Sequence, residues 1–168
     1  ENASVWQVAT SIYSIAVSPS EQISIGMDDK IVLLQVGSTT SEIDLPAPGK
    51  NMQVIFNADA SLLASSTPDG RVYVWQLKNG EYKRIVELTS APISSIAFSP
   101  NGDFLFLGET DQILIVDPLT GNEVSRIRQK GDVADLTLSP DGKMLYSAAL
   151  RSMQYFDMFA RQDISGDE

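Results

Sequence analysis

The residue pattern of this 168-residue chain repeats four times at a period of about 40 residues. A period of that size means that each unit is one supersecondary element, which must bury its apolar face against the next copy. The units occupy residues 12–36, 52–77, 93–118 and 133–158. Aligned on the turn after their first apolar stretch, they are anchored by Ser18-Pro19, Asn57-Ala58, Ser99-Pro100 and Ser139-Pro140, at intervals of 39, 42 and 40 residues.

Apolar residues within a unit stand two apart, the period of a strand and not of a helix. The pairs are Ile15 and Val17, Val54 and Phe56, Ile96 and Phe98, Leu136 and Leu138. A tight turn follows, Pro100-Asn101-Gly102 or Pro140-Asp141-Gly142, where Asn-Gly and Asp-Gly supply the positive φ of a hairpin. Second strands are expected at 104–107 and 144–147, third strands at 72–75 and 113–116. More polar fourth strands are expected at 81–88 and 123–128. No segment sustains a 3.6-residue apolar period, so the expectation is an all-β chain with essentially no helix.

Four strands every 40 or so residues resemble the WD40-repeat family of β-propellers, over nearly the whole chain. The best single match is SSTPDGRVYVWQL at 65–77. The position of the family's Trp-Asp pair reads Leu34-Gln35, Trp75-Gln76, Val116-Asp117 and Phe156-Asp157. The apolar-then-polar ending persists, but the dipeptide itself never appears, and Gly-His is absent. The resemblance implies a buried network joining that His to an Asp, a Ser or Thr, and the Trp. Only the second unit keeps three partners: Asp69, Ser65 or Ser66, and Trp75.

The resemblance also implies a β-propeller of four-stranded antiparallel blades over residues 1–160, with repeats near 4–36, 41–77, 81–118 and 123–158 and an acidic tail at 161–168. In this family the outer strand comes first in the repeat and belongs to the preceding blade. Residues 4–11 align with 84–91 as such a strand, while nothing after the last unit reads as a fourth. Two arrangements fit. Residues 5–8 close a four-blade ring by pairing with 153–156, or the chain is half of a larger or swapped ring completed by a second chain. The opening on Glu1 rather than Met is expected of a piece of a longer protein.

What the chain lacks narrows its chemistry. With no Cys there is no disulfide framework, thiolate metal site or cysteine nucleophile. With no His, imidazole ligation, His-based triads and the commonest general base are gone. The adjacent carboxylates Asp28 and Asp29 sit in a turn, where Asp serves local hydrogen bonding. Glu109 and Asp111 lack the Asp-rich, Gly-spaced loop of a cation site. The SPDGK phrase at 139–143 is similar to turns of propeller-type lactonases, but it is a hairpin signature without chemistry. No enzyme activity, cofactor or metal is therefore expected.

A net charge of −10 argues against nucleic acid as a direct partner, and no apolar run approaches the length of a membrane span. Arg126, Arg128 and Lys130 alternate on an outer strand, as edge protection or as a grip on an acidic partner. Trp6 and Tyr82 are expected to pack on their own blades. Asn2-Ala3-Ser4 forms a glycosylation triplet with no secretory context to support it.

The family resemblance implies a non-catalytic interaction scaffold inside the cell, in cytoplasm or nucleus, presenting a ring of loops to protein or peptide partners. Subunits of large assemblies, such as nucleolar ribosome-maturation complexes, carry similarly degenerate repeats. The expected binding face gathers the turns between second and third strands, with Asp28, Asp29, Asp69, Arg71, Glu109, Asp111 and Arg151. The loops entering each first strand add Lys50, Ser90 and Lys130. Read as mostly acidic, that face suits basic peptides.

Overall fold

The computed structural model describes residues 8, 10–35, 42–149 and 151–158. They form fourteen strands in four antiparallel sheets, and none of them is helical. The first blade holds β1 (Ile12–Val17), β2 (Gln22–Gln35) and β3 (Glu42–Lys50). The second holds β4 (Gln53–Phe56), β5 (Leu62–Ser66), β6 (Arg71–Lys78) and β7 (Glu81–Thr89). The third holds β8 (Ser95–Phe98), β9 (Leu105–Gly108), β10 (Gln112–Val116) and β11 (Glu123–Arg128). The fourth holds β12 (Val133–Leu138), β13 (Met144–Ala149) and β14 (Ser152–Asp157). Each blade is a meander whose strands pair in chain order.

In the first blade β2 fills two places. Residues 23–27 pair with β1 and residues 28–34 with β3. Gln35 Nε2 donates to Ser20 O at 3.2 Å, whereas a straight strand of this length would carry its ends about 45 Å apart. The element therefore doubles back at Asp28-Asp29, where Asp29 has a φ of 60°. Blade four has three strands among the described residues. The expected outer strand at residues 5–8 lies outside them except for Val8, as do Trp6, the glycosylation triplet and the 161–168 tail.

The four anchor residues found by aligning the repeats share one task. The side-chain oxygens of Ser18, Asn57, Ser99 and Ser139 each accept a hydrogen bond from a backbone N–H at or just before the start of the next strand: Gln22 at 3.0 Å, Leu62 at 2.8 Å, and Phe104 and Met144 at 2.9 Å. Ser and Asn are the residues that satisfy a turn in this way, which is why the signal recurs there.

The core lies between blades rather than within one. Ile31, Leu33, Leu45 and Ala47 of the first blade meet Val54, Leu63, Tyr73 and Trp75 of the second. Ala64, Val72, Val74 and Val86 meet Ile96, Leu105, Leu107 and Val116. Phe106, Ile113 and Ile115 meet Val133, Leu136 and Leu145. Alternate residues of one strand serve opposite interfaces, so β10 reads as the continuous run Ile-Leu-Ile-Val of a strand buried on both faces. Trp75 is buried between the first two blades and tilts against Tyr73, with ring centroids 5.9 Å apart. The inner strands neighbour one another in the order β1, β4, β8, β12. Among the described residues β12 has no comparable packing against β1, so the four blades form an arc.

Candidate functional site

A meander places the turns between second and third strands at the same end as the connections between blades. In the first blade Tyr13 donates its hydroxyl to Asp28 Oδ1 at 3.0 Å, and Asp29 Oδ1 accepts from Gly49 N at 2.8 Å. Lys50 Nζ lies 5.9 Å from the Tyr13 ring centroid. In the second blade Thr67 donates to Asp69 Oδ1 at 2.5 Å, and Arg71 Nε stands 3.4 Å from Asp69 Oδ2. The Thr67 hydroxyl, aided by the Arg71 charge, holds the Asp69 carboxyl below the usual range. Arg71 also donates to Pro48 O of the first blade at 3.4 Å.

The third turn is tied more deeply. Ser90 donates to the Glu109 carboxylate, which also accepts from Gln112 Nε2 at 2.5 Å. Glu109 is only 2% exposed, so it lies beneath the face rather than on it. Ser90 N donates to Gly70 O at 2.8 Å, and Gln129 N donates to Asp111 O at 2.9 Å. Gly70 has a φ of 91°, and a Cβ there would sit 2.2 Å from Ser90 O, so no other residue fits without moving the loop. Lys130, Asp111 and Arg151 stand exposed at the same end. The structure thus gathers Asp28, Asp29 and Lys50 at one blade, Asp69, Arg71 and Ser90 at the next, and places Asp111 and Lys130 either side of the buried Gln129.

The expected Asp69–Ser65–Trp75 network is replaced. Asp69 turns to Thr67, Trp75 packs by its rings, and Ser65 donates to Asn51 Oδ1 at 3.0 Å. Fully buried Asn51 then donates through Nδ2 to Ala47 O at 2.8 Å, Met27 O at 2.9 Å and Gly49 O at 3.0 Å. This amide in the inter-blade connection fastens blade two to blade one. Sequence reading missed it, because Asn51 stands between Lys50 and Met52 with nothing local to mark it as buried. Blade four repeats the device with Ser147 donating to Gln129 Oε1, both buried.

The other candidates pack locally. Arg126 pairs with Glu123 in its own strand, Nε to Oε1 at 2.6 Å, and this ion pair holds the Glu123 carboxyl low. Tyr82 donates to Ala60 O at 2.7 Å and faces Phe56, and burial pushes its hydroxyl up to about 12. At the opposite end of the blades Asp59, Asp103 and Asp117 line a pocket between blades two and three. Hydrogen bonds from Ser61 and from Leu119 N hold Asp59 and Asp117 low, respectively. Among the described residues no cluster of acids could hold a metal ion, and no helix is long and apolar enough to cross a membrane.

Known structures share this architecture. The Cps50 (Swd1) β-propeller domain of Myceliophteria thermophila superposes with a TM-score of 0.76 at 11% identity, over 87% of this chain and 53% of that one. A putative 6-phosphogluconolactonase from Bacteroides fragilis gives a TM-score of 0.74 at 16% identity, over 88% of this chain and 51% of that one. By sequence, the chain is 31% identical to Cilia- and flagella-associated protein 57 of Mus musculus over 115 residues, 64% of this chain and 9% of that protein. It is 22% identical to Pre-mRNA-processing factor 19 of Bos taurus over 163 residues, 92% of this chain and 32% of that protein. It is 26% identical to Periodic tryptophan protein 2 of Arabidopsis thaliana over 108 residues, 62% of this chain and 12% of that protein. The chain thus spans a third or less of the curated relatives it matches. The family model for the WD domain, G-beta repeat, matches residues 82–116. That match covers an outer strand followed by the three inner strands of the next blade, β7 to β10. The same unit recurs at the same interval on both sides of it, and together the matches support a β-propeller of WD40-type repeats.

Proposed function

We propose that the chain is a non-catalytic protein-interaction scaffold, acting inside the cell, in cytoplasm or nucleus, within a larger assembly. The observation that carries this reading is the loop face. Its turns are hydrogen-bonded within a blade, from Gly49 to Asp29 and from Ser90 to Gly70, and across blade boundaries, from Arg71 to Pro48 and from Ser90 to Glu109. A surface held this way loses little freedom on binding, which favours recognition of a partner. Relatives named as a pre-mRNA-processing factor and a cilia- and flagella-associated protein fit work in assemblies.

With Glu109 drawn inside, the charges on this face include Asp28, Asp29, Asp69, Asp111 and Asp132 against Lys50, Arg71, Lys130 and Arg151. Such an alternation complements a partner of mixed charge. A wholly basic segment is better matched by the opposite end, where Asp59, Asp103 and Asp117 converge. Affinity capture from a cell extract tests the reading. Partners held by the parent should be lost on Lys130→Glu with Arg151→Glu and retained on Asp103→Lys. Retention on the first pair overturns the loop-face assignment, and turnover of a lactone substrate by the purified chain overturns the non-catalytic one.

A further inference from the structure

The dipeptide Asn-Gly occurs twice, at Asn79-Gly80 and at Asn101-Gly102. In this pairing a backbone nitrogen can reach the preceding side-chain amide with least hindrance, because Gly places no Cβ in the way. The two copies stand in different surroundings.

Asn101-Gly102 is tied down. Asn101 Nδ2 donates to Asp103 Oδ2 at 2.5 Å, and Asn101 Oδ1 accepts from Asp103 N at 3.4 Å. Gly102 N donates to Ser99 O at 2.9 Å. Ser99 is the anchor of blade three, where its side chain accepts from Phe104 N and its own N–H donates to Phe104 O, each at 2.9 Å. A Cβ on Gly102 would lie 2.9 Å from Asn57 Nδ2, so the turn is also pressed against the anchor of blade two. Turning Asn101 toward the Gly102 nitrogen would break these bonds together.

Asn79-Gly80 is the two-residue loop between β6 and β7, with Lys78 opposite Glu81. Its φ is 52° at Asn79 and 81° at Gly80, the type I′ turn that Asn-Gly favours. Among the described residues neither the Asn79 amide nor the Gly80 N–H has a hydrogen-bond partner. Nothing lies within 4 Å of where a Gly80 Cβ would stand, and residues 77–81 are all exposed. The hairpin tip therefore opens at small cost, and opening frees the ψ rotation that ring closure needs.

We propose that Asn79, and not Asn101, is a site of spontaneous deamidation. The Gly80 backbone nitrogen loses its proton and attacks Asn79 Cγ. The new N–C bond closes a succinimide as the Cγ–Nδ2 bond breaks, and ammonia leaves with the proton. One water then opens the ring at either carbonyl, giving an aspartyl or an isoaspartyl residue. Each product adds one negative charge and about 1 Da. The charge falls at the end of the blades that holds Asp59, Asp103 and Asp117, and makes that end more acidic. The isoaspartyl form also puts one more carbon into the main chain of a loop whose length sets the strand register. It takes Lys78 out of register with Glu81 and loosens the tip of the β6–β7 hairpin.

Peptide mass mapping of the purified chain, held in mildly alkaline buffer, reads the two sites side by side. Asn79 should convert at least tenfold faster than Asn101, and an isoaspartyl methyltransferase should label the 79–80 site. In urea the two rates should fall within about twofold of each other, because the fold alone tells the sites apart. Gly80→Ala should slow the reaction at Asn79 at least tenfold and leave Asn101 as it was. Amide hydrogen exchange at Lys78 and Glu81 should be faster in the aged chain than in the fresh one. It should stay at the fresh chain's rate in Asn79→Asp, which adds the charge without lengthening the main chain. Conversion at Asn79 no faster than at Asn101 in the folded chain overturns the proposal. So does a tenfold gap that persists in urea, a Gly80→Ala chain that reacts like the parent, or an aged, isoaspartyl-labelled chain whose exchange matches that of the fresh one.

Discussion

Blades two and four are built from one repeat and differ in what surrounds them. Both start from an anchor that accepts the next strand's first N–H, and both are fastened by a connection amide to a second-strand serine. Blade two is walled on both sides and has four strands. Its Asn51 amide nitrogen faces three carbonyls within 3.0 Å. Blade four is walled on one side, has three described strands, and leaves the buried Gln129 Nε2 without a hydrogen-bond partner. The same local grammar therefore yields a tight, satisfied unit in one setting and an open one in the other. Packing by neighbours, not the repeat itself, decides which.

The largest expected difference between the two is at the end of the third strand. Trp75→Ala removes a ring buried between two blades and should cost about 3–5 kcal/mol in urea melts. Phe156→Ala, at the equivalent half-buried place in blade four, should cost roughly 1–2 kcal/mol. Equal losses would break the comparison. Next come the turns. Gly70→Ala combines a left-handed backbone with a backbone oxygen in the way, and should cost about 2–3 kcal/mol. Gly142→Ala meets only the Pro100 side chain, at 3.3 Å, and should cost about 1 kcal/mol.

The amide locks follow. Asn51→Ala orphans the buried Ser65 hydroxyl and several carbonyls, a loss of about 1–3 kcal/mol. Gln129→Met removes one hydrogen bond together with an unpartnered buried N–H, and should stay within about 1 kcal/mol of the parent. The smallest effect concerns acid. Asp69 lies below its ordinary value of 3.8 through Thr67 and Arg71, and Asp141 through Ser139 and Lys143. A depressed carboxylate stabilises the fold above its unfolded pKa, and the contribution fades as pH falls through the folded one. Both groups are exposed, so Asp69→Asn and Asp141→Asn should each lower the Tm at pH 7 by only about 1–2 °C, with the difference shrinking as the pH falls below 3.8.

The strand pattern was legible because it is local. Period-two apolar pairs and Gly turns act within one hairpin, and the Ser and Asn anchors bond a backbone group four or five residues away. What escaped sequence reading depends on distant residues. Asn51 is defined by Met27, 24 residues back, and by Ser65, 14 residues ahead. Glu109 looked like a surface turn acid because nothing near it in sequence announces Ser90, 19 residues before it, as its partner. The absent Gly-His dipeptide gives no hint that an amide supplies polar fastening at a different spacing.

The chain-order pairing of strands has a consequence for synthesis. Every sheet is completed by consecutive segments and every interface joins consecutive blades. A growing polypeptide therefore needs nothing from its unmade remainder to fold what has already emerged. After each further 40 or so residues one more sheet docks on the last, so bare apolar sides are left on the newest sheet and on the first, where Ile15 and Val17 stay exposed. Along most of the translation of this segment, the exposed hydrophobic surface stays near two blade faces, of which one moves forward with the ribosome, rather than accumulating blade by blade.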